Sequence, residues 1–128
     1  MAKTLLVTDD AAIIRAKIKE VACGAGWTIA AEARNGKEAV ERYAECRPAV
    51  VTVDPVMPEY DGIYALREIL ALDPEAKVIV VSAIGQKAIL KDAFQIGAVD
   101  FVVKPFDKNT LIKTLEQHAP REELVVAS

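Results

Sequence analysis

The sequence predicts an α/β fold in which five parallel strands alternate with five helices. Short apolar runs, several of them almost unbroken by polar residues, are typical of strands that are buried on both faces of a parallel sheet. Between these runs, apolar residues recur at helical spacing, which indicates amphipathic helices. Strands that alternate with such helices are joined by right-handed crossovers, so the helices are expected on both faces of the sheet.

The strands are predicted from runs of β-branched and aliphatic residues. These runs occupy residues 5–7, 28–31, 50–53, 78–81 and 101–103. A helical pattern follows each run, so the unit of one strand and one helix occurs five times without an interrupting linker. We expect one domain over residues 1–119 and a short C-terminal tail over residues 120–128.

The helices are predicted from apolar stripes and from residues that begin or end a helix. Asn35 with Glu38 three residues later resembles a capping box, and Asp107 can cap the last helix. Pro74 ends the third helix and Gly97 the fourth. The inward stripes are Ile14, Ile18, Val21 and Ala22, then Val40 and Tyr43, then Ile63, Leu66, Ile69 and Leu70, then Ile89, Ala93 and Ile96, and finally Leu111, Ile112 and Leu115.

The composition excludes several classes of protein. With 52% apolar and 27% charged residues the chain is not disordered, and its net charge of −3 disfavours binding to nucleic acid or anionic lipid. Asp9 and Asp10 interrupt the apolar stretch near the N-terminus, so no signal peptide or membrane span is predicted and a cytoplasmic protein is expected. Cys23 and Cys46 are too few for a disulfide framework or a zinc site, and we expect both to be buried.

Polar side chains lie at the ends of four of the predicted strands. The first strand ends in Asp9 and Asp10, the third in Asp54, the fourth in Ser82 and Ala83, and the fifth in Lys104 and Pro105. Because the carboxyl ends of parallel strands share one edge of the sheet, where ligands bind in such folds, we expect these residues to lie together.

The residue types at this edge indicate phosphoryl chemistry with a divalent cation. Three carboxylates repel one another, by about 4 kcal/mol per pair at ~4 Å, unless a cation lies among them. Oxygen ligands without histidine or cysteine favour Mg²⁺. Lys104 and Ser82 could bind a phosphoryl group, and Asp54, alone at the end of a central strand, suits a nucleophile that forms an acyl phosphate.

The segments LLVTDD, VTVDPVMPEYDG, VIVVSA and DFVVKPF, in this order and spacing, resemble the response-regulator receiver domain over roughly residues 3–118. This resemblance implies a flavodoxin-like, three-layer (βα)5 sandwich with the strand order 2-1-3-4-5. It also implies a role for each residue at the edge. Asp54 resembles the phosphoacceptor and Lys104 the lysine that contacts the phosphoryl group. Asp10 and Asp54 resemble direct Mg²⁺ ligands, Asp9 a ligand acting largely through water, and the backbone carbonyl of Val56 completes the set.

Other positions of the resemblance concern the switch and its lifetime. Ser82 resembles the hydroxyl that moves toward the phosphate, and Phe101 the aromatic residue that then turns inward. Val56 and Ile84 occupy the two positions that influence hydrolysis of the acyl phosphate; both are apolar and cannot orient water, so we predict slow self-dephosphorylation. Pro55 departs from the family, and it removes one backbone N–H beside the site.

The resemblance implies partners as well. The phosphoryl group would come from a sensor histidine kinase, and the fourth helix, fifth strand and fifth helix would form the output face. The stretches DDAAIIR, EARNGKEAVERY and SAIGQKA resemble the single-domain chemotaxis regulators. We therefore expect a monomer that docks on a partner protein such as the flagellar motor switch, with no direct contact to nucleic acid or membrane.

Two other functions remain open at this point. The first is a Mg²⁺-dependent phosphohydrolase that works through an aspartyl phosphate; such enzymes often carry a second Asp where this chain has Val56, so a dedicated enzyme is not expected. The second is a scaffold that keeps the fold without phosphorylation. Pro55 is its only support, and the complete set of polar residues argues against it.

Overall fold

The computed structural model describes residues 2–120, which form five strands and five helices in strict alternation. The strands are β1 (Thr4–Thr8), β2 (Thr28–Ala33), β3 (Val50–Val53), β4 (Val78–Ala83) and β5 (Asp100–Lys104). The helices are α1 (Ala12–Gly24), α2 (Gly36–Cys46), α3 (Gly62–Leu72), α4 (Lys87–Ile96) and α5 (Lys108–Gln117). The predicted tail, apart from Pro120, lies outside the described residues.

The sheet has the order β2-β1-β3-β4-β5, and every neighbouring pair of strands is parallel. The predicted flavodoxin-like topology is therefore confirmed. Strands β1 and β3 end in step, since Thr8, the last residue of β1, pairs with Val53, the last residue of β3. Residues that follow β1 and β3 consequently emerge at one edge of the sheet.

Alternate side chains of the strands supply two separate cores. On one face, Leu6 and Val51 belong to the cluster that packs against α2, α3 and α4. On the other face, Leu5 and Val7 belong to the cluster that packs against α1 and α5. All four residues of β3 are buried, as expected for the middle of a three-layer sandwich.

The helix ends follow the predicted signals. The Asn35 side chain accepts a hydrogen bond from the Glu38 N–H, and the Asp107 side chain accepts one from the Thr110 N–H. Gly97, with φ of 136°, ends α4. The longest helix in residues 2–120 has 13 residues. No helix in this part of the chain is long and apolar enough to span a membrane.

The prediction that both cysteines are buried is wrong. Cys23 and Cys46 are free and exposed. Each lies in the last turn of its helix, and Cys23 follows the buried Ala22 by one position. A step of one residue turns a side chain by about 100° around the helix axis, which carries Cys23 off the inward stripe.

Candidate functional site

Three carboxylates meet at the carboxyl edge of the sheet. One oxygen of each of Asp9, Asp10 and Asp54 lies within 4.8 Å of the others. Asp9 is 1% exposed and Asp54 is 8% exposed, whereas Asp10 is exposed. The ends of β1 and β3, adjacent in the sheet, place two acids below the surface and leave the third at the rim.

The Lys104 ammonium bridges the two buried acids. Lys104, the last residue of β5, donates from Nζ to Asp54 Oδ2 at 2.9 Å and to Asp9 Oδ2 at 3.1 Å. Burial alone would lower the pKa of Lys104, but its hydrogen bonds and charge attraction to the two acids outweigh burial and raise it. The lysine therefore remains a cation at neutral pH.

Burial acts on the pKa of Asp9 in the opposite direction to its action on the pKa of Lys104. Loss of solvation raises the pKa of this carboxyl, although the Ala11 N–H and Lys104 both act to lower it. Burial thus outweighs the stabilisation that the Lys104 ammonium and the Ala11 N–H give to the ionised Asp9. A further positive charge would favour the ionised acids.

Backbone N–H groups fix the direction of both buried carboxylates. Asp9 Oδ1 accepts from the Ala11 N–H at 2.9 Å, and Asp54 Oδ1 accepts from the Val56 N–H at 2.9 Å. In both residues one oxygen is bound to Lys104 and the other to an amide two positions along the chain. Pro55 lacks an N–H, yet the donor that Asp54 uses belongs to Val56, so the proline does not remove it.

Ser82 lies at the end of β4, one residue before the final Ala83, as predicted. Its side chain is fully buried, and no hydrogen-bond partner for Oγ occurs within residues 2–120. The strand register pairs Ser82 with Val103 and Ala83 with Lys104. A buried hydroxyl without a partner costs about 1–3 kcal/mol, so an acceptor that reached Ser82 would be bound favourably.

Phe101 is 42% exposed on β5 and meets Phe94 of α4 edge to face, with ring centroids 5.9 Å apart. Its side chain lines a cavity of about 280 Å³ together with Leu90, Val103 and the segment that follows β4. The segment between β4 and α4 therefore shares a cavity with Phe101.

The donor set at the carboxylates suits a hard divalent cation. All the side-chain ligands on offer are carboxylate oxygens, the type that Mg²⁺ prefers in proteins. Asp10 makes no hydrogen bond through its carboxylate to any described residue, while Asp9 and Asp54 each share one oxygen with Lys104. These three residues fit a Mg²⁺ site.

Arg15 also belongs to the site, although the sequence analysis does not name it. Its guanidinium Nη1 donates to the Asp9 backbone carbonyl at 2.7 Å, and only 13% of its side chain is exposed. The available signal is an arginine within the first turn of α1, five residues after Asp10.

Comparison with known proteins identifies the class. Residues 5–116 match the sequence model of the response regulator receiver domain, and the chain belongs to that family.

Among the relatives, the chemotaxis protein CheY of Thermotoga maritima is 47% identical over 117 residues, which cover 91% of this chain and 98% of the relative. CheY of Bacillus subtilis is 45% identical over 117 residues, with the same two coverages. A solved complex of CheX and CheY with BeF3 and Mg²⁺ from Borrelia burgdorferi superposes with a TM-score of 0.85 at 32% identity, covering 89% of this chain and 87% of that one. This chain is a receiver domain of two-component systems that is closely related to CheY.

Proposed function

We propose that this receiver domain is a phosphorylation switch in which Asp54 accepts a phosphoryl group from a histidine kinase in the presence of Mg²⁺. The observation that carries the proposal is the position of the Asp54 carboxylate. It lies at the carboxyl edge of the sheet, bound to Lys104 and to the Val56 N–H, within 4.8 Å of two further acids. An acid or a lysine at the end of a strand is common by itself, but three acids and a lysine that meet at one edge of a parallel sheet are not.

In the proposed reaction a carboxylate oxygen of Asp54 forms a bond to phosphorus as the phosphorus–nitrogen bond of a phosphohistidine breaks. The imidazole leaves and takes up a proton. Lys104 offers a fixed positive charge to the phosphoryl oxygens, which carry the charge of the transition state. Mg²⁺, held by Asp9, Asp10, Asp54 and the Val56 carbonyl, would neutralise the remaining charge.

The switch is proposed to run through β4 and β5. A phosphoryl group on Asp54 would give the Ser82 hydroxyl the acceptor that residues 2–120 do not supply. Movement of Ser82 and the segment after it would favour an inward position of Phe101 beside Leu90, because that segment and Phe101 line one cavity. The altered surface is formed by α4, β5 and α5, which would bind the output partner.

We infer the partners and setting from the relatives. The names of the CheY relatives indicate chemotaxis, so a CheA-type histidine kinase and a docking protein such as the flagellar motor switch are proposed. We propose that the receiver occupies residues 1–119, acts as a monomer in the cytoplasm, and signals by docking and not by turnover.

Intact mass after incubation with Mg²⁺ and a small phosphodonor tests the proposal. We expect one base-labile phosphoryl adduct in the wild type and in Asp92→Asn, which alters an exposed acid on α4. We expect none in Asp54→Asn. An adduct that persists in Asp54→Asn would contradict the assignment of Asp54 as the phosphoacceptor. Rapid multiple turnover of phosphate esters would instead indicate a phosphohydrolase. If the protein formed no adduct and bound no Mg²⁺, it would be a scaffold.

A further inference from the structure

We propose that Arg15 is a positioning residue that holds the Asp9–Asp10 peptide in the orientation required for cation binding. The inference rests on the Mg²⁺ site of the proposed function and adds to it a residue outside the ligand set. Its basis is a hydrogen bond from the guanidinium to the backbone between the two acids.

Every hydrogen-bonding group of Asp9 is occupied. Its N–H donates to the Ala33 carbonyl at 3.1 Å, and its carboxylate binds Ala11 and Lys104. Its carbonyl accepts from Arg15 Nη1 at 2.7 Å. Because the peptide bond is planar, fixing this carbonyl also fixes the N–H and Cα of Asp10, and therefore the direction in which Asp10 leaves the strand.

The orientation of Asp10 depends on this restraint more than that of its neighbours. Asp10 is exposed, and no described residue forms a hydrogen bond with its carboxylate. Three carboxylates within 4.8 Å repel one another, so a loosely held segment would move the outermost acid away. Arg15 opposes that movement through the backbone.

A second contact orients Arg15 itself. Its Nε donates to Glu32 Oε1 on β2 at 3.1 Å, while Nη1 reaches Asp9. A planar guanidinium can serve both acceptors at once, and a lysine ammonium at this position lacks that geometry. Lys19 binds the other oxygen of Glu32 at 2.8 Å but makes no hydrogen bond to the acid pair, so it provides a matched control.

The sign of the effect separates positioning from charge. Arg15 is a cation near a cation-binding site, so if it acted through charge alone, its removal would tighten Mg²⁺ binding. If it holds the Asp9–Asp10 peptide, its removal weakens Mg²⁺ binding in spite of the lost repulsion. The two roles therefore predict opposite changes.

Calorimetric Mg²⁺ titration of four proteins tests the proposal. We expect Arg15→Gln to bind Mg²⁺ about ten-fold more weakly than wild type, in the range found for residues that orient metal ligands. Arg15→Lys keeps the charge and is expected to be weakened as well. Lys19→Gln, which removes a charge from the same Glu32, is expected to bind as tightly as wild type or slightly more tightly.

An amide proton–nitrogen NMR spectrum of the Mg²⁺-free proteins gives a second readout. The Asp10 amide signal should shift in Arg15→Gln and remain in place in Lys19→Gln. Equal or tighter Mg²⁺ binding by both Arg15 variants would overturn the positioning role while leaving the proposed function intact. A wild-type protein that binds no Mg²⁺ would instead overturn the proposed metal site, and this inference with it.

Discussion

Lys104 is the residue whose ammonium pairs with both buried acids of the site. Asp9 and Asp54 are almost fully buried, and each directs one carboxylate oxygen at the same ammonium. Buried carboxylates are costly when unpaired, so the site tolerates them only while a cation is present. The same arrangement makes the site receptive to a second cation.

Replacement of Lys104 by methionine should lower the free energy of unfolding by about 2 kcal/mol at neutral pH without Mg²⁺, because two buried acids lose their shared donor. Urea denaturation measures this change. Lys87→Met, which alters an exposed lysine of α4, is the control and should change stability little. Equal losses in the two variants would show that the ion pairs contribute nothing.

Val56 and Ile84 are the residues expected to set the lifetime of the phosphorylated state. Both are exposed near the site, at 52% and 77%, and neither side chain can hold a water for attack on phosphorus. The phosphoryl adduct should therefore decay slowly, and Val56→Asn should accelerate the decay. Intact mass followed over time measures both rates, and a wild-type lifetime of only seconds would refute the expectation.

The start of α3 fixes the segment that follows β3. Asp61 caps the helix by accepting from the Tyr64 N–H, and the Gly62 N–H donates to the Pro55 carbonyl at 3.3 Å. A Cβ at Gly62 would collide with the Asp54 carbonyl oxygen and would lie 2.7 Å from Pro55 Cα. The close approach of helix and strand at the phosphoacceptor candidate therefore needs glycine.

Gly62→Ala should lower the free energy of unfolding by about 2 kcal/mol, since backbone atoms must separate to admit the methyl group. Gly24→Ala offers a matched comparison, because a Cβ at Gly24 would meet nothing within 4 Å. That variant should gain up to about 1 kcal/mol from helix propensity. Chemical denaturation of both proteins gives the comparison, and a neutral Gly62→Ala would contradict the packing described.

Tyr43 connects α2 to the turn after α3. Its hydroxyl donates to Asp73 Oδ2 at 2.7 Å; burial and this bond raise the pKa of Tyr43 to about 12. The hydroxyl in the unfolded chain titrates near 10, so the contribution of the bond is complete below that pH. It is lost as the pH rises toward about 12, because the folded state keeps a proton that the unfolded state releases.

Tyr43→Phe should therefore cost about 1 kcal/mol near neutral pH. The difference in stability between wild type and variant should shrink from about pH 8 to about pH 11. Denaturation midpoints at the two pH values measure it. A constant difference would show that the hydroxyl does not titrate differently in the folded and unfolded states.

The strands and helices are largely predictable from the sequence because their signals are local. The apolar runs and the caps at Asn35 and Asp107 occur where expected, and β4 ends with Ser82 and Ala83 as predicted. Contacts between distant residues carry no comparable signal. The hydrogen bonds from Tyr43 to Asp73 and from Arg15 to Asp9 depend on how the helices pack against the sheet. The spacing of apolar residues along the sequence does not determine that packing.

Across the whole molecule, the parallel sheet gathers distant residues and relates them to a remote surface. The order of the strands puts β1 and β3 side by side, so Asp9 and Asp54 share an edge. On the other side of β3 lies β4, which in turn pairs with β5. In that pair Ala83 lies opposite Lys104, and Val80 lies opposite Phe101. We propose that these pairings carry a change at the acids to the aromatic pair of Phe94 and Phe101.

The most direct test of coupling between the acids and the Phe94–Phe101 pair is an amide proton–nitrogen NMR spectrum recorded during titration with beryllofluoride and Mg²⁺. We expect saturable shifts at the carboxyl edge around Asp54, and concurrent shifts in α4 and β5 around Phe101. The same titration of Asp54→Asn should produce neither set. Shifts confined to the edge, with α4 and β5 unmoved at saturation, would contradict the proposed switch.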